Sequence, residues 1–308
     1  MSAKPEKDYS GTLLRDDIDA SGTILYKDKN RTVEKKVADK GLKLNGGAGN
    51  DSIIGSKYSD TIHGGDGDDR IETSTGNNLI YCDAGNDTIF ITGEGNNTVY
   101  GGAGNDYIDG GEGDDTIYGE DGDDRIVGND GNDLIYGDAG NDTIYAGAGN
   151  DTIYGGDGDD NIKLNASATN ILEFNNGDGN DMVQVTADGT GNVATIKLND
   201  TAKDGFSQKV SGNDLIISYN KNSSGMYEDT ITYKDFFKNL EDIPEIKIKT
   251  NDGYESTAKI SELKEAIAGW LSSTGYSDIA TGMASATEEQ INELNCIFAV
   301  NQEQILPS

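Results

Sequence analysis

Aspartate recurs at nine-residue intervals through the first half of this 308-residue chain, in most units two residues after one glycine and five after another. The unit is Gly-Gly-x-Gly-(Asn/Asp)-Asp-x-Ile-(Tyr). It reads GGAGNDSII from Gly46, GGAGNDYID from Gly101, GGEGDDTIY from Gly110, GDAGNDTIY from Gly137 and GGDGDDNIK from Gly155. Eleven aspartates stand at position 6: Asp51, Asp60, Asp69, Asp87, Asp106, Asp115, Asp124, Asp133, Asp142, Asp151 and Asp160. A carboxylate close to glycine-rich backbone is an oxygen donor set, and oxygen donors in sixes to eights suit the hard cation Ca2+. Glycines at positions 1, 2 and 4, among them Gly46, Gly64, Gly101, Gly110, Gly119 and Gly155, permit turns that expose carbonyls and let neighbouring turns approach. Asp66 and Asp157, at position 3, add two more candidate donors.

The elements that must hold these donors follow from position 8. Fourteen units begin at residues 46, 55, 64, 73, 82, 92, 101, 110, 119, 128, 137, 146, 155 and 164, with Ile91 as the only insertion. Their eighth residues are thirteen isoleucines and one valine, from Ile53 to Ile171. β-Branched residues suit extended backbone packed inward, and the flanking positions 7 and 9 must then face outward. So short a strand cannot bury its own aliphatic, and units must stack to be stable. A repeat of this period predicts a calcium-binding parallel β-helix.

Charge agrees with a cation ligand. The chain carries 24 basic against 56 acidic residues, a net −32. Residues 46–163 hold 26 of those acids against Lys57, Arg70, Arg125 and Lys163, a net −22. Such a field disfavours nucleic acid and anionic membrane as partners. Periodic Ile and Gly argue against simple disorder, which needs no period. No apolar run nears the roughly 18 residues of a transmembrane helix, and MSAKPEKDYS lacks the apolar core of a cleaved leader. Cys82 and Cys296 read as separate free thiols. The single histidine, His63, sits at an outward position 9 and is assigned no role. No His-Glu-x-x-His or Gly-x-Ser-x-Gly occurs, so the expectation is a non-enzymatic chain.

These repeats resemble the repeats-in-toxin (RTX) family. FNNGDGNDMV (174–183), VSGNDLIISY (210–219) and DTITYKDFF (229–237) resemble the haemolysin-type calcium-binding-related segment that often follows such arrays. The resemblance implies a parallel β-roll with two units per coil and calcium between stacked turns, and it adds Asp181 to the candidate ligands. It also implies export by a type I secretion machine reading an uncleaved C-terminal signal. The expected domains are an N-terminal cap (1–45), the β-roll (46–172), the related β segment (173–250) and a helical secretion tail (251–308).

If two units make a coil, odd units line one edge and even units the other. The odd edge carries Asp51, Asp69, Asp87, Asp106, Asp124, Asp142 and Asp160 without a gap. The even edge reads Asp60, Asn78, Asn97, Asp115, Asp133, Asp151 and Thr169, so metal should be weaker or absent at its two asparagines. The expected total is roughly 8–10 ions. Even-unit position 9 supplies an outward column of Tyr81, Tyr100, Tyr118, Tyr136 and Tyr154. It is read either as same-face stacking or as a surface for a glycan or partner.

Outside the repeats, strands are expected at Thr12–Leu14, Thr23–Tyr26 and Leu42–Leu44, then at Ile171–Phe174, Met182–Val185, Ala194–Leu198, Leu215–Tyr219 and Thr230–Tyr233. Ile260, Leu263, Ile267, Trp270 and Leu271 share a helical face. Thr287-Glu288-Glu289-Gln290 is a capping box for a second helix to Val300. The function expected is a secreted calcium-binding module folded by extracellular calcium. Two alternatives stand beside it: an adhesion or glycan-binding protein using the tyrosine face, and the C-terminal part of a larger toxin or secreted hydrolase.

Overall fold

A computed structural model describes residues 8–10, 17–19, 24–25, 41–165, 168–186, 193–201, 205–211, 214–234, 245–253, 255–257, 268–275 and 287. It divides the chain into two compact units, Met1–Asp151 and Thr152–Ser308.

In the first unit, position 8 dictates the layers. Ile53, Ile71, Ile89, Ile108, Ile126 and Ile144 pair in register along one parallel sheet. Its repeat strands are Ser52–Ile54, Arg70–Thr73, Thr88–Ile91, Tyr107–Asp109, Arg125–Val127 and Thr143–Tyr145. Asp17–Asp19 extends it in parallel and Ile24–Leu25 closes it antiparallel. The even units build the other sheet from Lys43–Ala48, Thr61–Asp66, Leu79–Ala84, Thr98–Ala103, Thr116–Asp121 and Leu134–Ala139, with Asp8–Ser10 at its end. Each step in register is 18 residues, or 19 where Ile91 is inserted, so two nonapeptides make one coil. The protein is a parallel β-solenoid, and the core of this unit is the double column of position-8 aliphatics from Ile53 to Ile144, all fully buried.

The second unit keeps this plan with longer strands. Thr152–Asp157, Thr169–Phe174, Val193–Leu198 and Glu245–Thr250 stack in parallel, ending in antiparallel Glu255–Thr257. Asn161–Asn165, Asn180–Thr186 and Tyr227–Lys234 stack likewise, and Asp214–Lys221 and Ser207–Ser211 fold back antiparallel. The segment expected to have its own core therefore extends the coil of the last repeats. The frame also slips: Leu172, not Ile171, pairs with Ile153 and is buried, and Asn170 rather than Thr169 points inward. Ile162 and Leu172 are ten residues apart instead of nine, and a one-residue slip exchanges the faces of a strand. Residues 268–274 are helical and bury Trp270. No helix among the described residues is long and apolar enough to cross a membrane. Thr12–Leu14, the remaining helical-face residues before 268, the second helix and Cys296 lie outside the described residues.

Outward of the even sheet, the rings of Tyr81, Tyr100, Tyr118 and Tyr136 stack at 4.8–4.9 Å and within 4° of parallel. His63 continues the stack onto Tyr81 at 4.8 Å. The rings thus cover each other's faces and leave edges outward, which is the same-face stacking reading of this column.

The turns are tight enough to select residues by shape. Position 4, except at Tyr58, is glycine with positive φ through residues 46–163, as at Gly104 (φ 132°), where a Cβ would strike the Gly85 carbonyl of the preceding coil. Gly177 also has positive φ (99°), but a Cβ there meets nothing. Gly177→Ala should therefore cost only the strain of a left-handed backbone, about 1–2 kcal/mol. Gly104→Ala should cost more, because the main chain of two coils must part. Denaturant unfolding of the two variants checks this, and equal losses would contradict it.

Candidate metal centre

Each position-6 aspartate is buried at a turn, and its two oxygens have different surroundings. On the odd edge Oδ1 caps the coil before it: Asp69 accepts from the Asp51 N–H at 2.7 Å, Asp87 from Asp69 at 2.6 Å, Asp106 from Asp87 at 2.7 Å, Asp124 from Asp106 at 2.8 Å and Asp142 from Asp124 at 2.7 Å. On the even edge Asp133 accepts from Asp115 at 2.9 Å and Asp151 from Asp133 at 3.0 Å. In the second unit Asp181 accepts from the Asp160 N–H at 3.0 Å. The second oxygen is another matter. Oδ2 of Asp69, Asp87, Asp106, Asp115, Asp124, Asp133 and Asp181 is buried and receives no hydrogen bond. Leaving so many anionic oxygens dry and unpaired is costly.

Position-1 glycines face these oxygens. A Cβ built at Gly46, Gly64 or Gly101 would lie 2.5–2.6 Å from Oδ2 of Asp51, Asp69 or Asp106, and 2.6–2.9 Å from a carbonyl of the next coil (Gly64, Cys82 or Gly119). Gly119 and Gly155 stand closer still to Asp124 and Asp160, and Gly110 would meet Asp115 at 2.9 Å. The cradle is therefore lined by a carboxylate oxygen and a backbone carbonyl. Cys82 holds position 1 in its own unit, where burial beside Asp87 pushes its thiol well up, so it stays protonated. No group of three or more His, Cys, Asp or Glu side chains gathers among the described residues. That follows from the repeat, since one carboxylate enters per turn and main-chain carbonyls line the space beside it.

Burial is the leading cause of raised carboxyl pKa values along both edges, with neighbouring carboxylates adding to it in most coils. The values rise to about 6 for Asp69, Asp106 and Asp142, about 7 for Asp115 and Asp133, and about 8 for Asp87 and Asp124. Asp151 is also raised, and Asp181 reaches about 9. Metal-free, these sites hold negative charge poorly.

Two candidates lie apart from the columns. Asp66 and Asp157, at strand ends, are exposed, and the Asp66 carbonyl accepts the Gly49 N–H at 2.6 Å. Two further aspartates join the set from outside the sequence expectations. Asp178 is buried, accepts the Asn175 N–H at 2.7 Å and is raised to about 6, chiefly by burial, then by Asp157 and Asp229. Asp229 is buried and accepts the Gly177 N–H at 2.7 Å. Asp178 had a signal, as position 3 of the repeat-like run NGDGND (176–181). Asp229 had none, because it arrives from a strand 52 residues further on.

The model of the RTX calcium-binding nonapeptide repeat matches four times, at residues 45–80, 64–90, 91–126 and 127–162. No curated protein sequence matches the chain. Among solved structures, the AlgE6R3 subunit from the Azotobacter vinelandii mannuronan C5-epimerase is 18% identical, with 43% of this chain and 71% of that one covered and a TM-score of 0.20. The extracellular lipase LipA from Serratia marcescens is 18% identical over 60% of this chain, with a TM-score of 0.21. This chain spans 37% of the lipase's length. Residues 45–162 belong to the RTX calcium-binding nonapeptide repeats, a calcium-binding module typical of secreted proteins.

Proposed function

We propose that this protein is a secreted module that folds when it meets extracellular calcium after type I export. The observation that carries the reading is the buried, donor-free Oδ2 of Asp69, Asp87, Asp106, Asp115, Asp124, Asp133 and Asp181, in columns of buried carboxylates lined by main-chain carbonyls. On the odd edge Asp51, Asp69, Asp87, Asp106, Asp124 and Asp142 would hold the ions, and on the even edge Asp115, Asp133 and Asp151. Asp160 and Asp181 would do so in the second unit. Carbonyls of the position-1 residues complete the donor set. A divalent cation supplies charge neutralisation between stacked turns, and roughly 8–10 ions offset most of the −22 of residues 46–163.

Calcium then becomes part of the folding free energy. Binding to sites that the unfolded chain lacks stabilises only the folded state. In submicromolar cytosolic calcium the carboxylates repel one another, leaving an extended chain suited to an exporter. In millimolar calcium the coils close, which hinders backsliding. The raised carboxyl values support this reading, and so does the typical secretion of proteins with these repeats. The chemistry is binding rather than catalysis.

Circular dichroism should show little β-structure in chelator and a large gain in millimolar calcium. Magnesium should not replace calcium, because it requires near-octahedral geometry and sheds water reluctantly. Full β-signal in chelator at neutral pH would overturn the reading.

Acidity should act on the metal-free chain in a definite direction. The folded carboxyls titrate at about 6 to 8, against about 4 in an unfolded chain. Between those limits the folded state binds more protons, so its metal-free stability rises as pH falls. The β-signal in chelator should therefore grow from pH 8 to pH 5, and the increment added by calcium should shrink. A chelator spectrum unchanged over that range would show that these carboxyls do not pack together without metal.

A further inference from the structure

Two coils of the even edge answer the same charge problem with nitrogen. Thr73–Asn78 reads TSTGNN and Thr92–Asn97 reads TGEGNN, so Gly at position 1 and Asp at position 6 are exchanged together, for Thr and Asn. Both asparagines are only 2% exposed. Nδ2 of Asn78 donates toward the Gly76 carbonyl at 3.0 Å, Asn97 Oδ1 at 3.0 Å and Thr73 Oγ1 at 3.3 Å. Nδ2 of Asn97 donates toward the Gly95 carbonyl at 2.8 Å, Asp115 Oδ1 at 3.0 Å and the Gly110 carbonyl of the next coil at 3.2 Å. The Thr92 hydroxyl reaches the Thr73 carbonyl at 3.2 Å.

The acceptors are telling. They are a position-4 carbonyl, a position-1 oxygen and the position-6 oxygen of the following coil, and a position-1 carbonyl also lines the space beside the bare Oδ2 atoms elsewhere. An amide NH2 shared among three oxygens does there what a cation does between two carboxylates. The paired exchange also makes steric sense. Glycine at position 1 leaves room beside a carboxylate, whereas Thr73 fills that room and offers the amide an acceptor. Asp60, one coil earlier, is satisfied as well: it receives the Ser56 N–H at 2.6 Å, the Ser56 hydroxyl at 2.9 Å and the Leu42 N–H at 2.7 Å.

We propose that Asn78 and Asn97 are built-in substitutes for calcium, so that the even edge from Asp60 to Asp115 closes by hydrogen bonds alone. The inference rests on the calcium reading of the aspartate columns. It gives the coils a metal-independent seam on one edge, directly opposite the metal-requiring aspartates Asp69, Asp87 and Asp106. That seam holds the register of these coils while few ions are bound. It also makes the Thr/Asn pair the determinant of which turns take metal.

The test uses the full chain and reads calcium stoichiometry and residue-resolved hydrogen exchange. One variant restores the common pattern with Thr73→Gly, Asn78→Asp, Thr92→Gly and Asn97→Asp. A second, Asp115→Asn, extends the amide run by one coil. The first should bind at least two more ions than the parent. The second should bind fewer ions and keep its calcium-saturated fold. At half-saturating calcium, the parent's amides at Asn78, Asn97 and Thr116 should exchange more slowly than those at Asp69, Asp87 and Asp106, and the first variant should lose that difference. Unchanged stoichiometry in the first variant overturns the proposal, as does equal exchange on the parent's two edges. A parent that binds no calcium at all would instead overturn the calcium reading.

Discussion

Stacking a chain on itself at the spacing of a parallel sheet, about 4.8 Å, sets every residue against its own equivalent in the next coil. Each position of the repeat must therefore tolerate a column of itself. Isoleucine does, since a column of β-branched side chains is a dry core. Tyrosine does, because planar rings separated by 4.8 Å stack. Aspartate does not, and position 6 is a buried column of it. The rest of the molecule is arranged around that conflict. Glycine at position 1 keeps space beside the carboxylate, and main-chain carbonyls line the same space.

The side-chain ladders also give the coils their cohesion. Position-6 carboxylates accept from the coil before them. Position 5 runs the other way: Asn86 accepts from the Asn105 N–H, Asn105 from Asp123 and Asp123 from Asn141 in the coils after them. Every turn is thereby tied in both directions by two adjacent residues. The position-5 ladder is exposed and includes neutral amides, so it needs no counter-ion. The position-6 ladder is dry and mostly anionic, so unbalanced charge collects on it rather than on position 5.

Much of this is legible in the sequence because a stacked repeat turns distance along the chain into distance in space. Period nine with one insertion at Ile91 sets the coil, the faces and both edges of carboxylates. Legibility ends where periodicity ends. The extra residue before Leu172 cannot be seen in a strand rich in apolar residues, since Ile171 and Leu172 are equally good candidates for the core. Asp229 reaches the Gly177 turn by a fold-back of antiparallel strands, a tertiary event with no local signature. The missing charge of Asn78 and Asn97 marks them in the sequence as weak ligands. Only the folded coil shows that their nitrogens, rather than their oxygens, face the carbonyls.

Position 2 shows how far the turn geometry outranks local preference. Asp83, Glu120, Asn129 and Asp138 replace its glycine, yet each keeps a left-handed φ of 70–74°. Asn and Asp tolerate that region, whereas glutamate has little reason to enter it. Glu120 does so next to Asp138, its partner in the adjacent strand, and burial followed by the charges of Asp138, Asp121 and Asp83 raises its carboxyl. A backbone that holds an unfavourable residue in an unfavourable conformation must be fixed by its neighbours. Here they are the coils above and below, bonded through every strand. Cohesion between coils thus outweighs the local cost at each turn, and the cation and its amide substitutes serve to let that cohesion act.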